Sequence, residues 1–318
     1  MMEKTAVLKI SHLSKSFGRH KVLKDVSFDA YAGEVFGFLG PNGAGKTTTL
    51  KIVAGLLTLD EGDVSVFGHD LRRDFERAMA QVGGIVENPE FYTYLSGLEN
   101  LRQYAAMRDG VTRERIDEVV RLVGMEKRIR DKVSKYSLGM RQRLGVAQAM
   151  MHRPRLLLLD EPTNGLDPAS IKALRDILRR LAHEEGVAVI VSSHLMSEME
   201  LMCDRVGVIV GGELRSVQSI EELVATTSPN HVQYVLCVDD AARASELIAT
   251  LEDVNGAVQK DGSLLLTLPQ ERAKECLGTV NAALIAGGVA LYTVTEKERR
   301  RLEDVFIEMT KAGGGSVG

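Results

Sequence analysis

Hydrophobic and polar positions interchange along the first thirty residues, and this pattern predicts β-strands. Apolar and polar residues alternate over much of 7–17 and 22–28, as in strands with one buried face. The continuous apolar run at 34–39 predicts a strand buried on both faces. Longer segments with apolar residues three and four positions apart predict helices. The other elements expected before residue 222 are helices at 48–54, 98–131 (a helical arm), 143–151, 170–185 and 196–203, strands at 156–159 and 187–191, and a hairpin of 206–210 with 213–215.

The pattern changes after residue 222. Residues 226–230 predict a linker, and a second series of elements follows it. The order strand, helix, strand, strand, helix, strand predicts a small ferredoxin-like α+β domain. We therefore expect an α/β domain at 1–222 and an accessory domain at 223–318 that regulates or stabilises a dimer. The expected elements are strands at 231–238 and 290–295, a strand pair within 258–268, helices at 241–251, 270–285 and 302–310, and a loose glycine-rich tail at 313–315.

Residues 40–47 read G-P-N-G-A-G-K-T, a phosphate-binding loop between the buried strand and a helix. Backbone N–H groups turn inward toward phosphate oxygens in conformations that glycine adopts cheaply. The lysine can reach the β- and γ-phosphates, the hydroxyl after it can ligate Mg²⁺, and the helix points its positive end at the phosphates. The residues expected to bind a nucleotide here are Gly40, Asn42, Gly43, Gly45, Lys46, Thr47 and Thr48, with Thr47 also a metal ligand.

Two acidic residues end the next apolar run. Asp160 and Glu161 follow the four leucines at 156–159 and precede Pro162. A carboxylate at the C-terminal end of such a strand lies beside the nucleotide pocket of an open α/β sheet. We expect Asp160 to hold Mg²⁺ through water and Glu161 to be the general base that polarises an attacking water. An Asp-Glu-Pro sequence is also compatible with an ordinary polar turn.

Taken in chain order, these motifs resemble those of the ATP-binding cassette (ABC) ATPases over about residues 5–222. The resemblance implies an ATPase that uses ATP and Mg²⁺, with a mixed-sheet core, a β-subdomain and a helical arm. Residues 136–142 (Y-S-L-G-M-R-Q) match the family's signature loop, in which Ser137 and Gly139 would bind the γ-phosphate of ATP held by a second subunit. Residues 165–168 (G-L-D-P) match a loop that contacts the partner subunit through Asp167.

Two further residues take roles from the same resemblance. Phe17 falls where the family stacks an aromatic ring on adenine, although a core phenylalanine is the alternative. His194 follows the predicted strand at 187–191 and matches the switch histidine that touches the γ-phosphate. The resemblance therefore assigns catalysis to Glu161 and His194.

Three positions depart from the family's usual residues. Leu138 stands in place of the first glycine of the signature loop and Met140 in place of its glutamine, so full intrinsic turnover is not assumed. Glu87 replaces a glutamine, and a carboxylate can ligate Mg²⁺ with a charge that an amide lacks. This glutamate, with N-P-E-F-Y at 88–92 behind it, looks like the bacitracin-resistance and lantibiotic-immunity type of ABC exporter. Neutral drift in a loop is the other interpretation of Glu87.

Composition narrows the class of partner. The 318 residues include 40 basic and 44 acidic side chains, and this net charge of −4 leaves no basic domain to bind nucleic acid. The basic stretch at 127–135 could face lipid headgroups, a permease or solvent. The three cysteines are far apart and suit the cytosol. No signal peptide or apolar run of ~18 residues is apparent, so a membrane function is expected to need another chain.

The sequence favours the ATP-hydrolysing subunit of a membrane exporter of antibiotic, antimicrobial peptide or lipid-like cargo. Two copies would form a homodimer around ATP and act on a separate transmembrane permease, at the cytoplasmic side of a bacterial-type membrane. The alternatives are an exporter of polysaccharide, ion or other lipid cargo, a soluble ABC ATPase acting on a non-membrane assembly, and a regulatory protein with negligible turnover. One P-loop and one signature loop disfavour a translation-type member, and Glu161 with His194 disfavours a regulatory protein.

Overall fold

A computed structural model describes residues 6–87, 89–227, 231–251, 253–259 and 261–297. The chain forms two compact units, Met1–Ile220 and Glu221–Gly318. The helix predicted at 302–310, the tail at 313–315 and the last three residues of the predicted linker lie outside the described residues, as does the asparagine after Glu87.

The first unit is built on a six-stranded sheet in the order β10-β9-β3-β8-β7-β6. Its strands are β3 (Val35–Leu39), β6 (Val82–Ile85), β7 (Leu156–Asp160), β8 (Ala188–Ser193), β9 (Arg205–Val210) and β10 (Glu213–Ser219). All neighbours run parallel except β9 and β10, which form an antiparallel hairpin. Strands β3 and β8 are buried at every residue, which explains the continuous apolar runs at 35–39 and 188–191. The sheet is therefore mixed, as the sequence predicts.

A second, antiparallel sheet has the order β2-β1-β4-β5. It consists of β1 (Ala6–Phe17), β2 (His20–Tyr31), β4 (Glu61–Val66) and β5 (His69–Asp70). The sheet packs on the central one through stacked rings of Phe28 and Phe36, whose centroids are 5.0 Å apart. The sequence predicts β1 and β2 but missed β4 and β5, because a six-residue and a two-residue strand carry too few alternating positions to stand out.

The helices of the first unit correct two predictions. They are α1 (Lys46–Val53), α2 (Phe75–Ala80), α3 (Gly97–Ala106), α4 (Arg113–Leu122), α5 (Leu138–Ala149), α6 (Pro168–His183) and α7 (Met196–Met202), and α8 (Ile220–Thr227) crosses the division between the units. The helical arm expected at 98–131 consists of two helices, α3 and α4, because Gly110 takes φ +80° and Thr112 caps a new helix. The predicted start of the signature helix at 143 was wrong, because α5 begins five residues earlier, at Leu138, with Ser137 as its cap.

The second unit contains a four-stranded antiparallel sheet in the order β12-β13-β11-β14. Its elements are β11 (His231–Val238), α9 (Ala241–Ile248), β12 (Asn255–Val258), β13 (Leu264–Pro269), α10 (Ala273–Ala286) and β14 (Leu291–Glu296). Leu236, Leu266 and Val280 are fully buried between the sheet and the helices. This element order is the one from which the sequence predicts a ferredoxin-like domain. A role for residues 223–318 in regulation or dimerisation remains a prediction.

Candidate nucleotide site

The loop between β3 and α1 is shaped by glycines that other residues cannot replace. Gly43 and Gly45 have φ values of +78° and +107°, where a side chain is strained. A Cβ on Gly45 would lie 2.5 Å from the side chain of Leu23, and one on Gly40 would lie 2.3 Å from the carbonyl oxygen of Ile209. Gly45 is thus fixed by both space and backbone conformation, Gly40 by space alone and Gly43 by backbone conformation alone.

Lys46 folds back into this loop. Its side chain is 5% exposed, and Nζ donates hydrogen bonds to the carbonyl oxygens of Gly40 at 2.7 Å and Pro41 at 3.2 Å. Nζ also lies 3.4 Å from Oε1 of Glu161. A buried cation needs such partners. The loop therefore presents a positive charge that its own carbonyl groups and one carboxylate hold in place.

Glu161 contacts two other residues of the predicted site. Its Oε1 faces the Lys46 ammonium, and its Oε2 lies 2.8 Å from Nδ1 of His194, which follows β8. Glu161 has φ +46°, a left-handed conformation that is uncommon for a residue with a side chain. The carboxylate of Glu161 thus lies between the phosphate-loop lysine and the predicted switch histidine.

Ser192 links Asp160 and Glu161 through hydrogen bonds, which the sequence did not predict. Its hydroxyl donates to Oδ1 of Asp160 at 2.5 Å and accepts from the backbone N–H of Glu161 at 2.9 Å. The only sequence signal is a serine at the end of a buried strand. The signal has a meaning only because β8 lies beside β7 in the sheet.

The first turn of α1 is suited to a phosphate group. Gly45 precedes the helix and provides no side-chain cap, so the first N–H groups of α1 lack a side-chain acceptor there. Thr47 and Thr48 are half-buried on this turn, whereas the hydroxyl of the next residue, Thr49, donates to the carbonyl oxygen of Gly45 at 3.0 Å. Asn42 and Gly43 are exposed at the mouth of the loop. A bound triphosphate would find a cation, free N–H donors and hydroxyl groups.

The donor set also suits Mg²⁺ that arrives with a nucleotide. The Thr47 hydroxyl and the Asp160 carboxylate are hard oxygen ligands of the type that Mg²⁺ prefers. Within the described part of the chain, no group of three or more His, Cys, Asp or Glu residues is arranged to hold a metal ion. Phosphate oxygens and water would be further oxygen ligands of a cation bound here.

Glu87 is paired with a residue of α1. Its Oε1 lies 2.5 Å from Nζ of Lys51, and the carboxylate is 66% exposed. Glu87 follows β6 with φ +73°, so the chain turns sharply there. Its predicted role as a Mg²⁺ ligand remains a prediction, and the contact with Lys51 was not foreseen.

The signature loop and the 165–168 loop lie side by side at the starts of α5 and α6. A Cβ on Gly139 would lie 2.4 Å from Oγ of Ser170, and one on Gly165 would lie 3.3 Å from the side chain of Leu138. Ser137 and Asp167 cap the two helices, accepting hydrogen bonds from backbone N–H groups at 3.2 Å each. The two predicted partner-contacting segments thus form one exposed surface.

Asp167 is held in its charged form. The hydroxyl of Ser170 donates to Oδ1 of Asp167 at 2.6 Å, and the backbone N–H of Ser170 donates to Oδ2. These two bonds, the hydroxyl first, keep the pKa of the Asp167 carboxyl below its usual value. The loop therefore presents a fixed negative charge.

Other predicted residues stand apart from the catalytic group. Phe17, at the end of β1, is 50% exposed, and Nζ of Lys15 lies 5.6 Å from its ring centroid, so it is not a core phenylalanine. In the described residues, no hydrogen bond or ion pair joins Phe17, Glu87, Ser137 or Gly139 to Lys46, Asp160, Glu161 or His194. None of the helices in the described ranges is long and apolar enough to cross a membrane.

Comparison with known proteins gives consistent results. A family model described as ABC transporter matches residues 23–164. "Uncharacterized ABC transporter ATP-binding protein YhcH" of Bacillus subtilis (strain 168) is 45% identical over 304 residues, 96% of each chain. "Bacitracin transport ATP-binding protein BcrA" of Enterococcus faecalis is 34% identical over 314 residues, 99% of each chain. "Lantibiotic transport ATP-binding protein SrtF" of Streptococcus pyogenes is 38% identical over 65% of this chain and 89% of its own.

The fold has solved counterparts. A structure described as "Structure of ATP binding subunit of ABC transporter" superposes with a TM-score of 0.61 at 29% identity. The match covers 69% of this chain and 92% of that one. The curated relatives from Bacillus and Enterococcus, in contrast, match nearly the whole of this chain.

Proposed function

Since the chain belongs to the ABC transporter family, and is therefore an ATP-binding subunit whose ATP hydrolysis is coupled to transport, we propose that it drives an exporter of antibiotic, antimicrobial peptide or lipid-like cargo. The relatives named for bacitracin and lantibiotic transport support this class of cargo. They also confirm the resemblance to that exporter type that the motifs indicate. The identity of the cargo itself belongs to the proposal.

One observation carries the assignment of catalytic roles. Glu161 lies between the Lys46 ammonium, 3.4 Å from one carboxylate oxygen, and the His194 ring, 2.8 Å from the other. In this proposal, Glu161 accepts the proton of the attacking water, and His194 orients the Glu161 carboxylate and contacts the γ-phosphate. Lys46 leaves its loop carbonyl partners for the phosphates, which are stronger acceptors because they are charged.

In the proposal, ATP and Mg²⁺ share Thr47 and otherwise have different binding residues. Gly40, Gly43, Gly45 and Thr48 hold the phosphates together with Lys46 and Asn42, while Phe17 stacks on adenine. Thr47, Asp160 and Glu87 are the protein's oxygen ligands for Mg²⁺, directly or through water. When bound, the cation would compensate the negative charge of the phosphates, and these three residues would hold it.

The proposed working state is a homodimer on a permease. Ser137 and Gly139 of each copy would complete the ATP site of the other, and Asp167 would contact the partner. Ser137 and Asp167 are both exposed, which supports this arrangement, whereas Gly139 lies buried beside Ser170. A separate transmembrane permease would bind the dimer at the cytoplasmic side of the membrane, as expected of subunits coupled to transport.

A resistance assay tests the proposal. Cells lacking this chain would be complemented with the parent or with Glu161→Gln, and growth inhibition would be measured with bacitracin, a lantibiotic and an unrelated antibiotic. We expect the parent, and not the variant, to restore resistance to at least one of the first two. Equal sensitivity with both proteins, at equal expression, contradicts the proposed export of this class of cargo.

A further inference from the structure

The structure assigns Ser192 as a positioning residue for ATP hydrolysis. We infer that its single hydroxyl fixes both the carboxylate of Asp160 and the backbone of Glu161, and that Mg²⁺-dependent steps depend on it. This inference rests on the proposed function, in which Asp160 serves the cation and Glu161 is the base.

Strand register brings the three residues together. Strands β7 and β8 run parallel, and Asp160 at the end of β7 is the direct partner of Ser192. Ser192 is fully buried, and its Oγ–H donates to Oδ1 of Asp160 at 2.5 Å. The same oxygen accepts the N–H of Glu161 at 2.9 Å. The hydroxyl is therefore both a hydrogen-bond donor, to Asp160, and an acceptor, from Glu161, and these are two successive residues at the end of the neighbouring strand.

The bond to Glu161 supports a conformation that costs free energy. A residue with a side chain at φ +46° lies in the sparsely populated left-handed region, and surrounding contacts must hold it there. The Ser192 oxygen is the partner of the Glu161 N–H, so it anchors the peptide group preceding the strained residue. From that anchor, the Glu161 side chain reaches the Lys46 ammonium and the His194 ring.

The bond to Asp160 determines how that carboxylate meets a cation. A hydrogen bond to a ligating carboxylate fixes its orientation, and losing such a bond typically costs about 10–100-fold in metal affinity or activity. With Oδ1 engaged by Ser192, Asp160 keeps one rotamer rather than turning freely. Burial alone does not call for a serine here, because the other residues of β8 before it are apolar and equally buried.

The next residue has a different partner. Oγ of Ser193 accepts the N–H of Leu195 at 2.9 Å, so it closes the turn after β8 and does not contact Asp160 or Glu161 through a hydrogen bond in the described residues. The positioning role is thus specific to Ser192, the register partner of Asp160.

The test compares Ser192→Ala and Ser192→Thr with Ser14→Ala. Ser14 is a matched control, because it is 4% exposed and its Oγ accepts the N–H of Asp25 at 3.2 Å, away from the catalytic group. For each protein, the Mg²⁺ half-saturation of ATPase activity, the affinity for trinitrophenyl-ATP with Mg²⁺ and with EDTA, and the thermal midpoint would be measured. Ser192→Cys replaces the alanine variant if the latter does not fold.

We expect Ser192→Ala to raise the Mg²⁺ half-saturation and to weaken Mg²⁺-dependent nucleotide binding by about 10–100-fold. Binding in EDTA should stay at the parent's level, and Ser192→Thr should restore most of the Mg²⁺ dependence because its hydroxyl has the same donor and acceptor. Ser14→Ala should lower the thermal midpoint only. A purely structural serine would give the Ser14→Ala result at both positions, and that outcome overturns the inference.

Glu161→Gln, measured in parallel, separates this inference from the proposed function. If Glu161→Gln hydrolyses ATP as fast as the parent, the proposed base is wrong. If Glu161→Gln is slow while Ser192→Ala keeps the parent's Mg²⁺ dependence, the base stands and the role inferred for Ser192 is wrong.

Discussion

Lys51 and Glu87 form an ion pair, with Nζ and Oε1 2.5 Å apart, that joins the phosphate-loop helix to the turn after β6. The side chains are 30% and 66% exposed, so solvent screens the pair and it contributes little to stability. The pair matters for the balance of charge near the nucleotide site. The cation on α1 compensates the negative charge that a glutamate, rather than the family's usual glutamine, brings to this turn.

The first prediction concerns this pair. Glu87→Gln should leave folding and ATP affinity within a few-fold of the parent, because Lys46 and the backbone N–H groups dominate phosphate binding. ATP turnover and antibiotic resistance should change more than folding and ATP affinity do. The Mg²⁺ concentration that half-saturates ATPase activity should rise, because a charged ligand is lost. Lys51→Met should shift the half-saturation the other way, since it frees the carboxylate. Magnesium titrations of ATPase activity measure both effects.

Glu90→Gln is the control for Glu87, because it removes an exposed carboxylate three residues further on. The double variant Lys51→Met/Glu87→Gln should behave like Glu87→Gln alone, since the lysine acts through the glutamate. Titration curves and resistance levels that coincide for parent and Glu87→Gln would mean that the glutamate is neutral drift.

The second prediction concerns the base. Glu161→Gln keeps the size of the side chain and removes its basicity, so nucleotide binding should persist while hydrolysis slows by about 10²–10⁴-fold, the usual effect of a positioned general base. Steady-state phosphate release measures the rate, and a nucleotide-binding titration measures retention of ATP. Glu126→Gln, an exposed carboxylate on the helical arm, is the control. A loss of less than about tenfold would exclude Glu161 from this role.

The third prediction concerns assembly. In a Glu161→Gln background, ATP but not ADP should produce a dimer, because the γ-phosphate would bind Ser137 of the second copy. Adding Ser137→Arg should abolish the dimer, but it also removes the cap of α5, an effect of about 1 kcal/mol on stability. Ser137→Asp keeps a capping oxygen and places a negative charge against the phosphate, so it should fold like the parent and still fail to dimerise. Light scattering with each nucleotide distinguishes these outcomes.

A second capped helix provides the control for the assembly experiment. Thr112 caps α4 in the same way, with Oγ1 accepting the N–H of Arg115 at 3.3 Å. Thr112→Arg should therefore cost similar stability and leave the ATP-dependent dimer intact. A dimer of equal stability with ADP and ATP would count against the shared nucleotide site.

The fourth prediction concerns pH. His152 lies in the first unit with Nε2 2.9 Å from the carbonyl oxygen of Val82. Burial, and then the positive charge of Arg108, lower the pKa of His152, while the bond to Val82 acts in the opposite direction. A histidine whose folded pKa is below its unfolded pKa binds fewer protons when folded. It therefore contributes no penalty above the unfolded pKa and destabilises the protein as pH falls from there through the folded pKa.

The measurement is the thermal midpoint at about pH 7.5 and about pH 5.5, on either side of the ordinary histidine pKa. His152→Gln can still donate to Val82 but does not titrate, so its midpoint should fall less than the parent's between the two conditions. His20 lies at an exposed position on β2, so the thermal midpoint of His20→Gln should fall as much as that of the parent. Equal losses in all three proteins would show that His152 does not contribute to the pH dependence.

The residues that the sequence places well belong to contiguous motifs. The phosphate loop and the Asp160-Glu161 pair each lie within one short segment of the sequence. Their spacing, and their position at the end of a strand, are enough to predict where they lie in the fold. The contacts that the sequence missed depend on pairing between distant segments. Ser192 meets Asp160 only through the register of two parallel strands, and Lys51 meets Glu87 only after β6 is placed near α1.

The errors in the helices have a local cause. Apolar spacing does not distinguish one long helix from two short ones on the same core, and Gly110, where the arm breaks, is a single weak signal. The helix predicted at 143–151 begins later than α5, whose N-terminus is capped by the hydroxyl of Ser137.

The order of strands in the central sheet has a consequence for synthesis of the chain. Strand β8 lies between β3, which leads into the phosphate loop, and β7, which ends in Asp160, although it is made after both. While the chain emerges from the ribosome, β3 has neither of its final neighbours and β7 has only β6 until residues 188–193 are available. A nascent chain that ends before β8 lacks both Ser192 and His194, so the proposed catalytic group can form only after this strand has been made.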